Sequence, residues 1–90
     1  MTSEQQRTAL EIESAKGDKY QRLYDDVLES FFEEKDKVLF DAFRSVPVTS
    51  TDDLVAIRMQ STALESLRSE FLTVIESGRL ARMQLNEEGE

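Results

Sequence analysis

The sequence predicts an all-α chain. The expected architecture is a long antiparallel helical hairpin with a short N-terminal helical arm, self-associating into a bundle. Three observations carry this. Two long segments, 18–45 and 51–77, repeat their apolar residues on a helical period. The only proline, Pro47, falls between them. Three glycines and one proline in 90 residues are too few for a turn-rich β fold.

The first element, residues 1–17, reads as an arm or short helix. Its stretch "SEQQRTALEIESAK" favours helix, yet Leu10 and Ile12 fall on different faces. Gly17 is expected to interrupt it, and Asp18 to cap the next helix.

Residues 18–45 form the first strong helix. Tyr20, Leu23, Tyr24, Val27, Leu28, Phe31, Val38 and Ala42 fall on one side of a 3.6-residue wheel. Charged residues take the other side. Asp18–Arg22 and Glu33–Lys37 have the acid-first i,i+4 order, worth roughly 0.3 kcal/mol each.

Next comes "FRSVPVTSTDDL", Phe43 to Leu54. Pro47 lacks a backbone N–H and pushes Val46 out of the helical region, so the helix should end near Arg44 or Ser45. Ser50 or Thr51 can cap the next helix. Asp52 and Asp53 then sit in its first turn, where the helix dipole favours anions.

In the second strong helix, 51–77, the stripe is Ile57, Ser61, Leu64, Leu67, Phe71, Val74 and Ile75, with Leu54 at its margin. Gly78 is placed to end it. Residues 79–90 are expected to be a C-terminal extension with a disordered acidic end. At 1.5 Å per residue each long helix spans roughly 40 Å. Residues 18–78 would form the hairpin.

Composition narrows the function classes. Without cysteine or histidine the chain has no disulfide, no thiolate or imidazole metal site and no Ser–His or Cys–His catalysis. The glycines are isolated, so no phosphate-binding loop exists. Glu33, Glu34 and Asp36 read as a solvated face interleaved with Lys35 and Lys37. Asp52 and Asp53 read as first-turn acids. No enzyme activity and no cofactor or metal are expected. Net charge is −8 and no basic stripe is present, so no direct nucleic-acid partner is expected. No apolar run approaches the ~20 residues of a membrane span, so no membrane partner is expected either. The polar start "MTSEQQRTALEIE" does not resemble a signal peptide. These features suggest a soluble, intracellular protein.

The apolar residues left over point to contact with protein. Phe31 and Phe71 lie on the stripes and are expected in the core. Phe40 lies far from the stripe, with Phe32, Leu39 and Phe43 at its edge. On the second helix Val55 and Met59 lie off the stripe, and Val46 and Val48 sit in the turn. A two-helix hairpin buries one stripe per helix. These eight residues are therefore expected to form a partner-binding patch at the closed end, beyond the reach of the arm. An isolated hairpin also has little core to offset chain entropy, which favours a homo-oligomer or a larger partner.

The stretch "FRSVPVTSTDDLVAIRMQSTALESLRSEFLTVIESGRLARMQ" resembles small helical proteins encoded among the head and DNA-packaging genes of tailed bacteriophages. The shared features are Ser45 and Pro47 in the turn, Asp52 and Asp53 after it, Arg58 early in the second helix, Leu64 with Leu67, and Gly78. The resemblance covers roughly residues 20–85 and brings no functional residue with it. It implies a phage-encoded minor structural or assembly protein, in the host cytoplasm or the virion, with a capsid, portal or host protein as partner. Three other readings are an acidic inhibitor that mimics DNA and blocks a host nucleic-acid-binding protein, a nucleic-acid adaptor, and a carboxylate-only metalloenzyme. Interspersed Lys and Arg weigh against the first, and the lack of a basic patch weighs against the second.

Overall fold

The structure, a computed structural model, describes residues 3–88. They form two helical rods and, among the described residues, no strand. The first rod runs through α1 (Glu4–Leu23), a π-helical turn (Tyr24–Leu28) and α2 (Glu29–Ser45). After a five-residue loop comes the second rod, α3 (Thr51–Glu88). The molecule is elongated, 62 × 22 × 15 Å.

A capping box starts the first rod. The Ser3 hydroxyl accepts from the Gln6 N–H at 3.1 Å, and the Gln6 side-chain oxygen accepts from the Ser3 N–H at 3.0 Å. Helix then continues through residue 17, where an interruption was expected. It also continues through residue 78 in α3, where an end was expected. Neither glycine breaks its helix, because the two face each other. A Cβ built on Gly17 would lie 2.7 Å from the Gly78 Cα, and one built on Gly78 would lie 2.6 Å from the Gly17 Cα. Only residues without a side chain permit backbones this close. Glycine costs about 1 kcal/mol relative to alanine inside a helix, and the close backbone approach is what its missing side chain permits here. Ser14 and Ala81 flank it, both buried. Asp18 caps nothing and instead forms an ion pair with Arg82, whose Nε also donates to the Ser14 hydroxyl at 3.3 Å. The expected arm is thus the first part of a continuous rod. Glu87, expected in a disordered end, is helical, while residues 89–90 lie outside the described residues.

Cross-rod pairs run in opposite sequence order: Ser14 with Arg82, Gly17 with Gly78, Tyr20 with Phe71, Asp36 with Arg68. Tyr20 and Phe71 are 5.8 Å apart between ring centroids, and Phe32 and Phe71 are 6.4 Å apart. The Arg68 guanidinium lies over the Phe32 ring at 5.1 Å and bonds Asp36 at 3.1 Å. Together these groups fill the middle of the molecule.

The π-turn changes which face of α2 is buried. It inserts one extra residue, which rotates everything after it by about one residue of a 3.6-residue wheel. A straight wheel buries Phe31 and Val38. Past the turn the inward positions at Phe32 and Leu39 are one later, while Ala42 stays half-buried as on the straight wheel. Phe32 is fully buried and Leu39 half-buried, while Phe31 is 40 % and Val38 60 % exposed. This reverses the roles expected for Phe31 and Phe32. Among the described residues only Phe32 and Ala81 are buried apolar side chains, so the core is thin.

Substitutions in the seam and the core test this packing. Gly17→Ala or Gly78→Ala gains about 1 kcal/mol of helix propensity. It loses roughly 1–3 kcal/mol by pressing a methyl onto backbone that cannot rotate away. Chemical denaturation should show a net loss of stability in each, and a gain would contradict the close approach. Separately, Phe32→Ala should cost about 3–5 kcal/mol, and Phe31→Ala less than about 1.5 kcal/mol. Equal costs, or the reverse order, would mean that the register shift is wrong.

Candidate functional site

The loop holds a defined shape. Val46 is extended (φ −77, ψ 130), as a residue before proline must be, and its N–H still donates to the Ala42 carbonyl at 3.1 Å. The Ser45 hydroxyl donates to the Asp41 carbonyl at 2.8 Å. The Ser50 N–H closes a turn onto the Pro47 carbonyl at 2.9 Å, and the Leu54 N–H opens α3 by donating to the Ser50 carbonyl at 3.1 Å.

Distance between packed helices is set by the side chains at the contact. Glycines bring the rods together at one end. Past the bulk of Phe32, Phe71 and Arg68, α2 touches α3 far less than α1 does. A groove of about 300 Å³ lies between the rods at the loop end. From α2 it is lined by Asp36, Leu39, Phe40 and Phe43, and from α3 by Leu54, Ile57, Arg58 and Ser61. Leu39, Leu54 and Ile57 are half-buried and form its floor. Phe40 and Phe43 are 58 % and 56 % exposed. The Arg44 guanidinium lies 5.9 Å from the Phe40 ring. Asp36, held by Arg68, marks the end nearest the core.

The eight residues expected to form one patch do not all meet. Leu39, Phe40 and Phe43 line the groove. Val48 is the most exposed large apolar side chain among the described residues and sits at the tip, with Val46 half-buried beside it. Val55 and Met59 are exposed on α3 but do not line the groove. Phe32 does not belong to the patch: it is the most buried side chain of the core, moved there by the π-turn. Conversely, Ile57 on the expected stripe and Leu54 at its margin are only half-buried and form the groove floor. The signal that would have found them is the same shift, which carries their facing side chains on α2 out of line.

Chemically the groove offers apolar surface, one carboxylate, one guanidinium and one hydroxyl. Among the described residues no group of three or more acidic side chains could hold a metal ion, and no helix is long and apolar enough to cross a membrane. No protein-family model matches the chain, and neither a curated protein nor a solved structure is significantly similar to it.

Proposed function

We propose that this chain is a non-enzymatic interaction module: a helical hairpin that binds protein through the apolar groove and tip at its loop end. The observation that carries this reading is the exposure of Phe40, Phe43 and Val48 around a groove whose floor is only half covered. Burying a Phe side chain contributes about 1.5–3 kcal/mol, so these side chains would be the anchors of a contact to which the surrounding surface must add. Contiguous apolar surface of this kind marks binding sites. The proposed setting, a minor structural or assembly role in a phage, rests on the sequence resemblance alone.

Acidic mimicry of DNA is the weaker reading. A mimic needs rows of carboxylates uninterrupted by cations. Here Glu11 pairs with Arg7 at 3.4 Å and Asp18 pairs with Arg82. Arg79 hydrogen-bonds Glu76 and holds its carboxyl below the ordinary carboxylate range.

The test is retention of proteins from host lysate on the immobilised chain. Phe40→Asp should lose the retained protein, while Ile12→Asp, exposed at the other end, should keep it. Retention should barely change between roughly 50 mM and 500 mM salt, since apolar contact is not screened. A Phe40→Asp chain that retains the same protein as wild type would defeat the proposal.

A further inference from the structure

We infer that the groove is filled by the loop end of a second copy of this chain, the two tips meeting across a two-fold axis with their acidic ends pointing apart. The inference rests on the contact reading above and names its occupant. Three observations converge on a second copy.

The first is area. A folded monomer of 10.3 kDa exposes roughly 5,400 Å². This chain exposes 7032 Å². The excess is about twice the ~800 Å² that each partner contributes to a stable interface of standard size. Much of it comes from the rod shape, and joining the two tips would cover the part of it that lies where the rods are parted.

The second is charge. Between residues 35 and 58 the cations Lys35, Lys37, Arg44 and Arg58 balance the carboxylates Asp36, Asp41, Asp52 and Asp53. The whole net charge of −8 therefore lies outside the loop end. Two copies packed side by side in parallel over their full length would set these acidic halves against each other. Tip-to-tip contact joins the neutral parts and keeps the acidic parts beyond the ~8–10 Å range of screened repulsion. A basic partner would instead be drawn to the other end.

The third is self-complementarity. A two-fold interface uses the same patch twice, so it must hold both the projecting group and the recess that receives it. The loop end has both. Phe40, Phe43 and Val48 project, and the half-buried floor of Leu39, Leu54 and Ile57 lies open between the rods.

The experiment is sedimentation equilibrium from roughly 5 to 200 µM, the range in which micromolar association is read, combined with distances between spin labels. The chain has no cysteine, so Thr49→Cys at the tip and Gln5→Cys at the far end each carry a single label. The expected result is a dimer in which labels at position 49 are close and labels at position 5 are farther apart than the 62 Å length of one chain. Phe40→Asp should weaken the dimer at least about 30-fold, the effect of losing an interface hot spot, with an unchanged helical signal. A monomer throughout the concentration range, or a dimer whose position-5 labels are the close pair, overturns the inference. If the chain is monomeric yet Phe40→Asp loses a retained lysate protein, the contact reading stands and only the second copy is wrong. If the dimer forms through the tips but no other protein is retained, the groove serves self-association.

Discussion

The rest of the structure depends on backbone-to-backbone contact at Gly17 and Gly78. A Cβ on either residue would overlap the other's Cα, so the rods there are as close as helices can come. With Ser14 and Ala81 beside them, the glycines make a seam of small residues, and the Arg82–Asp18 pair stands over it. This seam fixes one end of the molecule. Large side chains fill the middle, and the five-residue loop joins the rods where no tight contact draws them together.

The π-turn adds the second constraint. By inserting one residue between Tyr24 and Leu28 it carries Phe32 into the aromatic cluster with Tyr24, Phe31 and Phe71. Beyond it, α2 presents Leu39 and Phe43 to a gap instead of to a tightly packed neighbour. π-turns of this kind often sit beside functional sites, and here the turn lies between the seam and the groove. The molecule is clamped toward its acidic end and parted at its neutral end, where Phe40, Phe43 and Val48 stand exposed around the groove.

Much of this was legible in the residues. The 3.6-residue period marked both helices, and Pro47 with Ser50 and the acids after it marked the loop to within a residue. Phe40, Phe43 and Val48 stood out because no stripe could use them. What was not legible comes down to two events. Gly17 and Gly78 look like helix stops in a linear reading, since only their partnership in space makes them interior residues. The π-turn leaves no mark in composition, so a straight wheel carried the wrong register past Tyr24 and buried Phe31 in place of Phe32. A 4–4 spacing through Tyr24, Leu28 and Phe32 is the only trace of it, and it is visible once Phe32 is known to be buried.

One end of this molecule is closed by its own contacts, and on the inference above the other is completed by a second copy of the chain. Amide chemical shifts followed as the protein is concentrated test this most directly. Changes should be confined to residues 36–61 and strongest around Leu39, Phe43, Leu54 and Ile57, with Ser14, Gly17, Gly78 and Ala81 unmoved. Changes centred on the glycine seam, or a spectrum that does not move at all with concentration, would contradict it.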